Sequence, residues 1–339
     1  MSKRRINNTP FENFINNITN VLQKNTENNE YTVEEIESMI KELLYTVDNA
    51  QTILDVMKNK PKAFSTIKYN DLVKMNDTMN WKLPEDLFDI NIFNPKLIRI
   101  PDSILKNISK ELSIKTNTIG ILSKTENEDK RKKFIDIFIE SCINIFKGEI
   151  TNDIESYIND VRFQGKIEYI LKAFSEIIIV VIEAKKDIEY QSNYGQIISE
   201  LYNSYCYNNN LNLSTENVYG ILTTGINWQW WKYDGKEFYA SESIQLIRRN
   251  KKSLPIIASY IYSIIIDGWI QSCDIYFKKY KDINNKWLDI FNDSKKIIFN
   301  AKSNDEAEKA FNNFNSNIDE FREYLGHSDY IWDYDLNYI

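Results

Sequence analysis

Residues 165–186, GKIEYILKAFSEIIIVVIEAKK, followed by QSNYGQIISELYNSYCYNNN over 191–210 and VYGILTTGINWQWWKYD over 218–234, carry the reading from which the fold follows. The run 177–186 is β-branched almost without interruption, and its length and composition suit a strand buried on both faces of a sheet. Residues 166–173 alternate as a shorter strand carrying Glu168, able to pair beside the first. The spacing over 191–205 predicts a helix with Ile197, Ile198, Leu201 and Tyr205 on one face and Gln196 near its start. Residues 218–223 and 228–233 read as two more strands about a turn at 224–227. The order strand, strand, helix, strand predicts an α/β fold with a mixed sheet flanked by helices.

The long strand ends in Glu183-Ala184-Lys185. Side chains alternate along a strand, so Glu183 and Lys185 share one face while Ile182 and Ala184 share the other. Taken alone, such a triplet is an ordinary ion pair where a core strand reaches solvent. Glu168 on the neighbouring strand brings a second carboxylate to the same end, and Gln196 brings an amide. Two carboxylates, a lysine and an amide are the components of a hard-cation site that hydrolyses phosphodiesters, because Mg²⁺ takes oxygen ligands and keeps waters that can attack.

The pattern resembles the core of the PD-(D/E)XK nuclease superfamily: a helix with a glutamate, a strand with an acidic residue, a strand ending in E-x-K, and a helix often bearing Gln. Asn127-Glu128-x-x-Arg131-x-x-Phe134-Ile135, Gly165-x-x-Glu168-Tyr169, Val181-Ile182-Glu183-Ala184-Lys185, Gly195-Gln196 and Tyr219-Gly220-Ile221 are similar to nuclease-like domains of restriction-type and crinkler-type proteins. The match covers residues 125–245. It departs from the family at one position, where the usual Asp is Glu168. The resemblance implies a restriction-endonuclease-like sheet and metal-dependent phosphodiester hydrolysis of nucleic acid, with DNA the first expectation and an endonuclease the expected form. It implies Mg²⁺, or Mn²⁺ in its place, held by Glu168, Glu183 and the backbone carbonyl of Ala184, with Glu128 nearby. Lys185 would orient or activate water, and Gln196 would fix Lys185 or a phosphate oxygen. The competing expectations are a nuclease-fold module that binds nucleic acid or protein without turnover, and an interaction protein in which the sheet is scaffold.

Composition sets outer limits. The 339 residues are long enough for a sizeable core, and 42% are hydrophobic. The net charge of −7 argues against coating nucleic acid through bulk electrostatics and leaves a local basic groove open. Cys142, Cys206 and Cys273 are too far apart in sequence for a zinc motif, and the one histidine, His327, reads as a surface residue. No apolar leader follows Met1, and the longest apolar run, 254–266, is shorter than the ~20 residues that span a bilayer. Cytoplasm or nucleus is the expected location, with no membrane partner.

Four divisions are expected along the chain: a helical hairpin over 1–60, a connecting region with a short helix over 61–124, the nuclease-like core over 125–245, and a helical extension over 246–339. In the hairpin, the apolar positions of 33–57 recur in steps of three and four like a heptad seam, which serves either packing within a monomer or a homodimer. Four of the six prolines fall within 61–101, which predicts irregular structure. Glu128 and Arg131 open a helix through Phe146, where Glu128 is either a site carboxylate or a complement to the helix dipole. Trp228, Trp230 and Trp231 suit either base stacking or a core under the sheet. Residues 254–270 read as a central helix, and 305–325 as an amphipathic one capped by Ser303 and stopped by Gly326. Lys278, Lys279, Lys281 and the run 248–252 are either phosphate contacts or a solvated face.

Overall fold

The computed structural model describes residues 61–79, 81–123, 126–159, 162–188, 191–247, 252–279 and 286–327. The predicted hairpin and its seam over 33–57 lie outside the described residues, as do Lys281 and most of the run 248–252. The strands are β1 (Lys62–Ala63), β2 (Asn91–Ile92), β3 (Ile150–Asn159), β4 (Phe163–Ala173), β5 (Ile177–Ala184), β6 (Val218–Thr223), β7 (Asn227–Tyr233), β8 (Phe238–Ala240) and β9 (Ile244–Gln245). The helices are α1 (Tyr69–Val73), α2 (Asn76–Met79), α3 (Asp102–Ile119), α4 (Glu128–Ile143), α5 (Gln191–Asn210), α6 (Ser253–Lys279), α7 (Lys286–Asn300) and α8 (Asn304–Leu325).

The strands form one mixed sheet, β1-β4-β5-β6-β7-β8-β2, with β3 added on β4 and β9 on β7. Every residue of β5 is buried, as its β-branched run requires. Strand β5 runs antiparallel to β4 and parallel to β6, and α5 makes the crossover between β5 and β6. Two apolar cores lie on the two faces. Val180, Ile182 and Ala184 join α3, α4, α6, α7 and α8 on one side, while Val181 and Ile178 meet Ile197, Ile198 and Leu201 of α5 on the other.

The alternation slips at Ile179, where the β4–β5 register passes from Leu171↔Val180 to Lys172↔Ile178. Asn208 of α5 occupies the irregularity, accepting from the Ile178 N–H at 3.0 Å and donating to the Ile178 carbonyl at 2.8 Å. Both backbone groups are thereby satisfied inside the core.

Several expectations change. The proline-rich region 61–101 is woven into the sheet: β1 pairs with β4 and β2 with β8. The apolar run near 254 extends into a 27-residue helix, α6, long and apolar enough to cross a membrane by length and composition, and most of it is buried against the sheet and the helices α3, α4 and α7. Trp228, Trp230 and Trp231 are fully buried, which removes them from base stacking and places them in the core. Helix α8 begins as its sequence requires, with the Ser303 hydroxyl accepting from the Glu306 N–H, and ends at Gly326 with φ of 73°.

Candidate active site

The site lies where β5 stops and β4 continues. On one edge of β4, β3 pairs along the strand as far as Gln164. On the other edge β5 pairs only from Tyr169 onward, and β1 takes up the pairing again at Phe163 and Gln164. Residues 165–168 of β4 thus border a gap. The gap is a cavity of about 320 Å³ lined by Phe64, Ser65, Glu128, Lys132, Glu155, Lys166, Glu168, Glu183 and Gln196, among others.

Three glutamates cross the sheet in one row. The pairs Ile154↔Tyr169 and Ser156↔Ile167 bracket Glu155 opposite Glu168, and the step after Tyr169↔Ile182 sets Glu168 opposite Glu183. Glu155 has φ of 51°, a conformation costly for a residue other than glycine. The Glu168 Oε2 accepts the Ala184 N–H at 2.7 Å, replacing the strand partner that β4 no longer offers there. The site thus uses the Ala184 N–H as a brace between the two strand ends, beside the carbonyl that the resemblance implies as a ligand.

Helix α4 closes one side. Asn127 caps it by accepting from the Lys130 N–H at 2.9 Å. The buried Arg131 guanidinium donates to the carbonyls of Lys185 at 3.3 Å and Lys186 at 3.2 Å, and to that of Glu126, tying the helix start to the end of β5. This geometry carries Glu128 to the cavity. One turn on, Lys132 reaches Glu128 at 2.7 Å, Glu155 at 3.3 Å and Glu168 at 3.9 Å.

Helix α5 closes the other side. Its first turn crosses the 3-10 turn Phe64–Thr66 and the residues after it so closely that a Cβ on Gly195 would lie 2.4 Å from the Ile67 carbonyl oxygen. Gln196 is thereby brought to the cavity wall. Its amide N–H donates to Glu200 Oε1 at 2.8 Å. Lys185 pairs with Glu183 Oε1 at 2.5 Å.

Glu183 and Glu200 are 1% and 0% exposed. Each has one carboxyl oxygen with no donor among the surrounding groups, and the two carboxyls face each other. A single proton between them would satisfy both, and burial together with the Glu183 charge raises the pKa of Glu200 well above the carboxylate range. Burial also raises Glu183, against the pull of Lys185. Burial, then the Glu183 charge, push Glu168 up to about 8 despite Lys132 and the Ala184 N–H. The hydrogen bond from Lys132 lowers Glu128. Burial opposes the charge of Lys185, but Glu183 overrides it and raises the lysine's pKa.

Among the described residues, no three His, Cys, Asp or Glu side chains are arranged to close around a metal ion. Mg²⁺ is commonly held by one or two carboxylates with waters and substrate phosphates. Glu168 and Glu183 fit that donor set, being oxygen donors whose negative charge burial and mutual repulsion disfavour without a cation.

The structure thus brings Glu128, Glu168, Glu183, Lys185 and Gln196 to one place. Sequence reading missed Glu200, Lys132 and Glu155. For Glu200 a signal was present, since a carboxylate in the apolar stripe between Ile197 and Leu201, four residues after Gln196, needs a reason to be buried. Lys278 and Lys279, both exposed, pair with Asp274 at 2.5 Å and Glu176 at 2.9 Å. His327 is half-exposed, as expected for a surface residue, and its Nδ1 lies 2.7 Å from the buried carboxylate of Glu149. The chain matches no protein-family profile, no curated protein and no solved structure.

Proposed function

We propose that this protein hydrolyses phosphodiester bonds of nucleic acid, DNA foremost, at the gap between the ends of β4 and β5. One observation carries the reading: Glu168, Glu183, Lys185 and Gln196, drawn from two strands and the crossover helix, meet at one cavity edge with Glu128 on its wall. The order of a helix with Glu128, a strand with Glu168, a strand ending in Glu183-Ala184-Lys185 and a helix with Gln196 supports a restriction-endonuclease-like core.

Glu168 and Glu183 would hold Mg²⁺ or Mn²⁺, which supplies a polarised phosphate oxygen and an acidified water when bound. Lys185 is kept an ammonium by Glu183, so its part is to offset charge on the pentacovalent phosphate and not to accept a proton. Glu200 and Gln196 hold the Glu183 carboxylate from behind. Arg131 fixes the backbone on which Lys185 stands. A second reading, a binding module without turnover, draws support from the two lysines that already neutralise the acid row.

Supercoiled, linear and single-stranded DNA and RNA, each incubated with Mg²⁺, Mn²⁺ or EDTA, test the proposal. Metal-dependent cleavage lost in Glu183→Gln is the expected result. Inertness of the wild type with every substrate and ion would favour the binding module.

A further inference from the structure

We infer that Lys132 is a built-in second cation of this site. Resting on the phosphodiesterase reading above, the inference is that its ammonium takes the place a second divalent ion would fill, so that the protein works with a single bound ion. Three carboxylates from three separate elements converge on this ammonium: Glu128 from α4 at 2.7 Å, Glu155 from β3 at 3.3 Å and Glu168 from β4 at 3.9 Å. Lys132 is only 16% exposed and lines the cavity together with all three. A surface lysine answering one helix neighbour would need Glu128 alone.

Two details indicate that the acids are built around the ammonium. Glu155 adopts φ of 51° in the middle of a strand, and in that conformation its carboxylate spans Lys132 and, at 3.4 Å, Lys166. Glu168 is shared between two environments. Its Oε1 faces Lys132, while its Oε2 is fixed by the Ala184 N–H on the side of Glu183. Glu168 is therefore the common wall between the Glu183 end, where an ion would bind, and the Lys132 end, where a cation is already supplied. Two divalent ions sharing one carboxylate commonly clamp the attacking and leaving oxygens of a displaced phosphate. Here a fixed ammonium stands in for one of them, and Lys132 opposes the phosphate charge while it holds Glu168 and Glu128 in place.

The test is ion stoichiometry, read by calorimetry and by the electron paramagnetic resonance of bound Mn²⁺, on the full chain. Wild type and Lys132→Arg should take up one Mn²⁺ per chain, and Lys132→Met should take up two, the second lost again in Lys132→Met/Glu155→Gln. Lys132→Gln, which keeps hydrogen-bond donors toward the three carboxylates, guards against a fold defect and should also gain the second ion. Equal stoichiometry in wild type, Lys132→Met and Lys132→Gln would overturn the inference. So would two ions in wild type, a result that leaves the phosphodiesterase reading standing. No ion in wild type would overturn it as well, and would take the Glu168–Glu183 ion site with it.

Discussion

Helices α5 and α6 pack on opposite faces of the same sheet, and they bury different chemistry. The buried face of α6 is aliphatic and aromatic, and hydrogen bonds to backbone satisfy two of its buried serines: Ser259 bonds both backbone groups of Ile98, and Ser272 donates to the Gly268 carbonyl. The buried face of α5 includes Gln196, Glu200, Asn203 and Asn208. Two of these have plain structural work, Asn203 donating to the Phe163 carbonyl and Asn208 filling the irregularity at Ile178. Glu200 differs from them. It buries an ionisable group beside a second one, with Oε1 bonded to the Gln196 amide and Oε2 without a donor. Burial of polar groups is thus no mark of a site in itself, and neither is one unpaired atom, since Asn203 Oδ1 on α5 and Trp269 Nε1 on α6 also lack a partner; the mark is an ionisable group buried beside a second one.

If that contrast is right, the largest loss of stability belongs to α6. Ile265→Ala, at a fully buried position, should cost about 2–5 kcal/mol in chemical denaturation while sparing the site geometry. A loss below 1 kcal/mol would mean that α6 is not the better-packed helix.

Next comes activity at the other face. Lys185→Ala should fold normally and cleave about a hundredfold more slowly, as when a transition-state contact worth about 3 kcal/mol is deleted. Lys186→Ala, one residue on and exposed, should keep most of its rate. Equal rates for the two variants would remove Lys185 from the chemistry.

Stability against pH sharpens the same contrast. The folded-state pKa of Glu168 and of Glu200 lies above the ordinary carboxylate value, so folding binds protons. The stability this gives is fully present below about pH 4.5, the unfolded value, and is lost as pH rises, for Glu168 through about 8. Glu200→Gln should therefore match wild type near pH 4 and exceed it at pH 8 by about 1–3 kcal/mol, the cost of leaving a buried group unsatisfied. Thermal melts across that range decide it, and a wild type as stable at pH 8 as at pH 4.5 would count against the proton-sharing pair.

The smallest effect is that of the ion. Mg²⁺ at ten times its dissociation constant should add about 1.4 kcal/mol to the wild type and nothing to Glu183→Ala. An equal gain in both would exclude Glu183 as a ligand.

What could be read from the chain follows the strength of its periodic signals. Strand β5, helices α4, α5 and α6 and the caps of α8 were legible because long apolar runs, helical spacing and a Ser–Gly pair leave few alternatives. The carboxylates of β4 and β5 were legible because a two-residue period fixes the face. Strand β3 was not. It pairs only with β4 among the described strands, exposes Ile154 and Tyr157, and turns at Glu155, so its alternation carries no apolar face. Strands β1 and β2 are two residues each, too short for any period, and are placed by their long-range partners. Lys132 was hidden for another reason: as the i+4 neighbour of Glu128 it looks like routine helix decoration, and only the register of β3 and β4 brings the other two carboxylates to it.

The pairing of Lys62 with Phe163 has a consequence for the order in which the site comes into being. One wall of the cavity, Phe64 and Ser65, leaves the ribosome some hundred residues ahead of the strand it docks on, and Gln196 and Glu200 follow later still. Closing loops of this length is slow and gains nothing until both ends are present. A nascent chain released short of α5 would therefore carry Glu168, Glu183 and Lys185 on an open sheet end with no pocket and no partner for the buried acid. On the function proposed above, such a chain would lack a working site during its own synthesis.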